Sequence, residues 1–158
     1  MKSTHRALLE KSVGRRKEVK AFLRKNSKNK SLDSLFHRAH ESVFQEIDCL
    51  DCANCCKTTS PIFRDSDIRR IAKHLRMKEF HFVDTYLRLD SDQDYVLKES
   101  PCAFLNSDNG CSIYDKRPLA CREYPHTHRK NMFQILDITQ RNALICPAVA
   151  SIMDKIMP

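Results

Sequence analysis

The chain has 158 residues, of which 41% are hydrophobic and 30% are charged, and its formal net charge is +8. This length suits one domain with a modest core, and only two glycines and six prolines argue against a fibrous or disordered chain. No apolar run reaches the length of a membrane span, and the N-terminus lacks the apolar region of a secretory signal. We therefore expect a cytoplasmic protein without membrane association.

The positive charge is concentrated at the N-terminus. Residues 1–30 contain eleven Lys or Arg and two Glu, a net charge of +9, whereas the other 128 residues carry 17 basic and 18 acidic groups. This asymmetry predicts a basic helical arm over residues 1–30 and a cysteine-cluster domain over residues 31–158. The arm is either a solvated helix or a surface for an acidic partner or nucleic acid.

Helical periodicity of apolar residues predicts most of the secondary structure. Ser31 is expected to cap a helix that leads directly into Cys49, and Pro147 suits the first turn of the last helix. Helices are expected over residues 4–26, from Ser31 to 47, from Asp65 or Ser66 to 75, over 78–89, and from Pro147 onward.

Short strands are predicted between these helices. Residues 95–98 and 132–138 have the character of short strands, and residues 102–105 and 111–114 alternate around a turn at 106–110. The predicted fold is α+β and mostly α: a single small domain with helices and a short β-hairpin around a cysteine-rich metal site.

Four cysteines lie within eight residues, in the segment Cys-Leu-Asp-Cys-Ala-Asn-Cys-Cys. In a reducing compartment, such clustering favours metal ligation over disulfides. Four more cysteines follow, so the candidate ligands are Cys49, Cys52, Cys55, Cys56, Cys102, Cys111, Cys121 and Cys146.

The spacing leaves the metal open. Cys49, Cys52 and Cys55 follow a Cys-x2-Cys-x2-Cys pattern that can wrap an iron–sulfur cluster, and Cys146-Pro147 supplies a distant cysteine followed by proline. Cys-x2-Cys pairs are equally common in zinc sites. The adjacent Cys55 and Cys56 fit two neighbouring sites, or one ligand and one spare thiol, better than one tetrahedron. One or two of the eight thiols can instead be buried and inert.

Several other side chains are candidates for supporting roles. Four thiolates leave a metal site negatively charged, and Arg117 and Arg122 are placed to compensate that charge or to form salt bridges. Tyr124 lies in the same segment and is a third candidate for a supporting role next to the metal site. Four histidines are not required as ligands when eight thiols are present: His37, His40, His126 and His128.

Four segments together resemble a known family: 49–56, 101–105, 110–114 and 117–125. Together they are similar to the YkgJ-type CxxCxxCC cysteine-cluster family. The four segments read, in the same order, CxxCxxCC, Pro-Cys-Ala-Phe-Leu, Gly-Cys-Ser-Ile-Tyr and Arg-Pro-Leu-Ala-Cys-Arg-Glu-Tyr-Pro. The resemblance covers about residues 45–150. It implies a domain that chelates zinc or iron.

These observations leave three functions open. The first is an iron–sulfur protein, with a 4Fe-4S cluster, that passes electrons to or from a redox partner. The second is a protein in which zinc only holds the fold, and the third delivers iron or zinc to a metal-acceptor protein. An independent enzyme is not expected, because no nucleophile–base pair, phosphate-binding glycine loop or catalytic carboxylate pair can be read from the chain.

Overall fold

The computed structural model describes residues 1–158 and contains two compact units. The first unit is Met1–Cys52 with Pro125–Pro158, and the second unit is Ala53–Tyr124. The helices are α1 (Ser3–Gly14), α2 (Arg16–Lys25), α3 (Leu32–Phe44), α4 (Asn54–Thr58), α5 (Asp65–His74), α6 (Glu79–Tyr86), α7 (Leu119–Glu123), α8 (Leu136–Asn142) and α9 (Pro147–Ile156), and the strands are β1 (Leu87–Leu89) and β2 (Tyr95–Leu97). The prediction of a mostly helical fold with a small hairpin is confirmed.

The basic arm forms two helices where one was predicted. The chain leaves α-helical geometry at Arg15, with φ −94° and ψ 13°, between α1 and α2. Gly14 immediately precedes the break, and glycine is among the weakest helix formers because it loses the most backbone entropy. Val19 and Leu23 of α2 are buried. The predicted division at residue 30 stays a prediction.

The first unit is a helical assembly around α9. Helices α1 and α3 pack against α9, and α2 packs against α8. Leu32, Phe36, Ala39 and Val43, which recur with the helical period along α3, are buried, with Phe36 fully so. Ion pairs add to this packing, because Lys11 Nζ and Arg15 Nη1 lie 2.5 and 2.8 Å from the carboxylate of Asp154 on α9.

The strand predicted at 132–138 is wrong. Residues Met132–Ile135 form a 3-10 helix that continues into α8. The Asp33 carboxylate accepts the backbone N–H groups of Asn131 and Met132 at 2.7 and 2.8 Å, and Met132 and Ile135 are buried. This long-range cap satisfies the orphan donors of a helical start.

The second unit is built on a compact apolar cluster beneath a two-stranded sheet. In the sheet, β1 and β2 are antiparallel with Leu87 opposite Leu97. Phe82 of α6 is completely buried and contacts the rings of Phe63, Tyr86 and Phe104. The helix predicted over residues 78–89 ends earlier, at Tyr86, because the chain enters β1 at Leu87.

The hairpin predicted over residues 102–114 is reduced to its turn. Leu105 and Cys111 form a single antiparallel bridge, and the Asn106 N–H donates to Gly110 O at 2.8 Å. The flanking segments are turns, because Leu105 N–H bonds back to Cys102 O and Tyr114 N–H to Cys111 O. The hairpin of the fold is instead β1–β2. No helix of the chain combines the length and the apolar character that a membrane crossing needs.

Candidate metal centre

The CxxCxxCC segment is neither one helix nor extended. Cys49–Asp51 form a 3-10 turn whose start is capped by Asp48, with its carboxylate accepting the Leu50 N–H at 2.9 Å. Ala53 then adopts left-handed geometry, with φ 47°, a conformation that is costly for a residue with a Cβ. Helix α4 follows and carries Cys55 and Cys56. The left-handed residue Ala53 therefore separates Cys49 and Cys52 on one side from Cys55 and Cys56 on the other.

Within the first unit, Cys49, Cys52 and Cys146 form what we call the first thiol group. Cys52 and Cys146 are 6% and 8% exposed, whereas Cys49 is exposed. Burial raises the pKa of the Cys146 thiol to about 11, and the neighbouring Cys49 and Cys52 raise it further. Three thiols thus lie close enough to interact electrostatically.

Cys146 owes its position to the start of α9. It is the residue before Pro147, the first residue of the helix, so its side chain faces the free N–H groups of the first turn. The backbone N–H groups of Val149 and Ala148 lie near the sulfur and oppose the rise in its pKa, although the side chain makes no capping hydrogen bond. Such donors stabilise a thiolate, and the helix dipole has the same effect.

Within the second unit, four half-buried thiols form the second thiol group: Cys56, Cys102, Cys111 and Cys121. Burial raises the pKa of Cys121 to about 12, and the other three members of the group raise it too. Cys102 and Cys111 pack against the apolar cluster of this unit. The four thiols of this group come from four separate segments of the chain.

Hydrogen bonds from the backbone and from side chains hold these segments together. The Cys102 N–H donates to Cys56 O at 2.8 Å, which joins α4 to the start of the Cys102 turn. Lys57 Nζ donates to Asn109 Oδ1 at 2.6 Å, and Ser100 Oγ donates to Lys57 O at 2.8 Å. These contacts fix the spacing between Cys56, Cys102 and Cys111 without involving the thiols.

The adjacent Cys55 and Cys56 have their sulfurs 4.0 Å apart. The contact with Cys55 lowers the pKa of Cys56 to about 7 against the opposing effect of burial, and the nearby Lys57 ammonium lowers it as well. Cys56 is therefore the member of the second thiol group that most readily becomes a thiolate at neutral pH.

The three predicted supporting residues have different surroundings. Arg117 lies close enough to Cys111 and Cys121 to lower the pKa of both thiols, although burial leaves both pKa values raised. Its guanidinium is 3.8 Å from the centroid of the Tyr114 ring. Arg122 is exposed and Tyr124 is half-buried. A role for these two next to a metal stays a prediction.

Sequence reasoning missed the backbone donors of the second thiol group. The backbone N–H groups of Phe104 and Leu105 near the Cys102 sulfur lower the pKa of that thiol, and the N–H of Ile113 lowers the pKa of Cys111, although burial leaves both pKa values raised. These donors follow the cysteine by two or three residues, as in the turn after Cys146. The turn-forming sequence around each cysteine was the signal from which these backbone donors could have been predicted.

Three histidines, two on α3 and one after Pro125, contact one another. The His128 ring is 4.7 Å from that of His37 and 5.0 Å from that of His40, centroid to centroid. His37 Nε2 is 2.9 Å from Arg129 O, and His40 Nδ1 is 2.8 Å from Thr127 Oγ1. These contacts join α3 to the segment that follows Pro125.

No three His, Cys, Asp or Glu side chains converge in an arrangement ready to hold a metal ion. The fit to a metal is instead one of donor chemistry. The second thiol group offers the four thiolates that zinc or an iron–sulfur cluster takes, and backbone N–H groups reach two of its sulfurs. Hydrogen bonds of this kind orient metal ligands and offset their charge.

Metal uptake by the second thiol group should release protons at pH 7. Cys102, Cys111 and Cys121 have raised pKa values and Cys56 has a pKa of about 7, so binding one Zn2+ should displace about three to four protons. Calorimetric titration in two buffers of different ionisation enthalpy measures this number. Affinity should rise with pH between 6 and 8, and an affinity independent of pH would contradict the assignment.

The model of one protein family matches residues 48–147, and its description reads "CxxCxxCC: Putative zinc- or iron-chelating domain". The matched region contains all eight cysteines and covers more than half of the chain. No curated protein and no solved structure matches the sequence. The pattern of cysteines and the extent of the match lead to one conclusion: the chain belongs to the CxxCxxCC family of zinc- or iron-chelating domains.

Proposed function

We propose that this metal-binding protein uses its two thiol groups separately, and that the first thiol group holds an iron–sulfur cluster that exchanges electrons with a partner protein. The observation that carries the proposal is the asymmetry of the first thiol group. Cys52 and Cys146 are buried, whereas Cys49 is exposed. Such a site is shielded from water on one side and accessible to a partner on the other.

The sequence around the first thiol group favours iron. Cys49 and Cys52 are the first two cysteines of the Cys-x2-Cys-x2-Cys pattern, whose third, Cys55, lies on α4 in the second unit, and Cys146 is followed by proline, as in ferredoxin-type sites. The first turn of α9 directs two backbone N–H groups at the Cys146 sulfur. Hydrogen bonds to cluster sulfurs and the degree of solvent exposure are the main means by which a protein sets a cluster potential.

Each residue of this group has a defined role. The thiolates of Cys52 and Cys146 would hold the metal from the buried side, and that of Cys49 from the exposed side. The N–H groups of Ala148 and Val149 offset the negative charge of the thiolates. When bound, the cluster supplies one-electron chemistry, and the protein needs no substrate pocket.

A structural zinc site is the second candidate, and one observation favours it for the second thiol group. Its four cysteines come from separate segments of a small unit, and two of them pack against the apolar cluster. A tetrahedral ion that ties such segments together contributes directly to folding. The third candidate, delivery of iron or zinc to an acceptor, draws on the same exposure of Cys49.

Metal analysis of anaerobically purified protein tests the proposal. We expect brown protein that contains iron and acid-labile sulfide and that bleaches reversibly on reduction. Cys52→Ser should remove the colour, and His37→Gln, which changes a polar side chain outside both thiol groups, should retain it.

Two results would decide against an electron-transfer role. Colourless protein with stoichiometric zinc and no sulfide, from cells supplied with iron, would establish the zinc reading. Colourless protein that passes its metal to an apo-acceptor would establish delivery.

A further inference from the structure

The cations of the basic arm fall into two classes. Lys2, Lys11 and Arg15 are ion-paired within the first unit, with Asp51, Asp154 and Glu18 as partners. The other eight make no ion pair with any acidic side chain: Arg6, Arg16, Lys17, Lys20, Arg24, Lys25, Lys28 and Lys30. The paired class fastens the arm to the unit, whereas the second class is exposed to solvent.

Four of these unpaired cations surround Ala21 on α2, and we call Lys17, Lys20, Arg24 and Lys25 the basic surface. Lys17, Lys20 and Arg24 are spaced by three and four residues, which places them on neighbouring turns about 5–6 Å apart at Cβ, and Lys25 lies four residues after Ala21. Val19 and Leu23 on the opposite side are buried. The packing of the helix therefore fixes which way these charges point.

We propose that the basic surface binds the phosphate backbone of nucleic acid, a function separate from that of the thiol groups. A row of unpaired cations gains from a polyanion because it releases condensed counterions. The small Ala21 at the centre leaves room for a backbone to approach all four cations.

The same observations weigh against the other anionic partners. A helix that lies in a membrane surface must bury its apolar side in lipid, and the apolar side of α2 is already buried in the protein. Specific protein interfaces rely on aromatic or large apolar anchors at their centre, and the basic surface contains none. The absence of aromatic side chains also predicts contact with phosphates and little reading of base sequence.

Binding of the full-length, metal-loaded protein to a fluorescent 25-base-pair DNA of random sequence tests this inference. Four phosphate contacts predict a slope of about −3.6 in a plot of log affinity against log salt, which is a loss of roughly a hundredfold between 50 and 200 mM salt. Replacing all four members of the basic surface by Gln should weaken binding at 50 mM salt at least about tenfold.

A matched variant controls for net charge. It replaces four exposed cations outside the arm, none of them ion-paired, by Gln: Lys73, Arg88, Lys116 and Arg141. This variant should lose less than about threefold, with metal content and helicity unchanged in both proteins. An equal loss in the two variants, no binding at 50 mM salt, or tighter binding to poly-glutamate or to anionic vesicles than to DNA would overturn the inference.

Discussion

The Cys121→Ser variant is expected to lose the metal of the second thiol group and to keep that of the first. Cys121 is the member of its group on which Cys56, Cys102 and Cys111 all act electrostatically. Removing one thiolate from a four-thiolate site leaves an incomplete and charged donor set, so the loss at that site should be close to complete. Metal analysis by mass spectrometry under native conditions gives the stoichiometry directly.

The reciprocal variant supplies the control. Cys146→Ser removes a buried thiol of the first thiol group and should leave the metal of the second unit in place. Helicity measured by circular dichroism shows whether each variant remains folded. If either substitution removed both metals from folded protein, the chain would have one shared site and the two groups would be wrong.

The Phe82→Ala variant should show the largest loss of stability among single core substitutions in the second unit. Phe82 is completely buried against Phe63, Tyr86 and Phe104. Truncating such a ring leaves a cavity and costs about 3–5 kcal/mol in the free energy of unfolding. Because Phe104 lies two residues after Cys102, the variant should also bind metal more weakly at the second thiol group.

Phe80 on the same helix is the matched control. Its side chain is 61% exposed, and its ring centroid lies 4.0 Å from that of His81 and 6.0 Å from Lys78 Nζ. Phe80→Ala should change the free energy of unfolding by less than about 1 kcal/mol. Denaturant titration of the metal-loaded proteins compares the two. Equal losses would mean that the cluster around Phe82 does not hold the second unit together.

Helices whose apolar residues recur with the helical period were predicted well. In α3 the residues from Leu32 to Val43 carry a complete inner face, and in α9 the proline at the first position marks the start. Both signals are local, since period and capping depend on neighbours a few residues away. The strand at Tyr95–Leu97 and the turn before Cys111 were found for the same reason.

One error falls where a distant residue decides the local structure, and another falls where strands and turns fit the same local pattern. Residues 132–138 have an apolar pattern compatible with a strand, but Asp33, almost a hundred residues earlier, caps a helical turn there. The segments around Cys102 and Cys111 alternate as strands do, yet their backbone bonds close turns that direct N–H groups at the sulfurs. Asp33 lies outside any window of local sequence around residue 132. The turns after Cys102 and Cys111 close between residues three apart, and they were missed because the same alternating pattern also fits strands.

The sequence by itself determined that the chain is mostly helical, that it belongs to a metal-chelating family and that its positive charge lies in the first 30 residues. These properties depend on composition, periodicity and short motifs. Only the tertiary structure decided which thiols come together and which cations of the arm are neutralised. Both outcomes depend on contacts between residues far apart in the chain: Cys146 meets Cys49 and Cys52 through the packing within the first unit, and Lys11 meets Asp154 because α1 packs against α9.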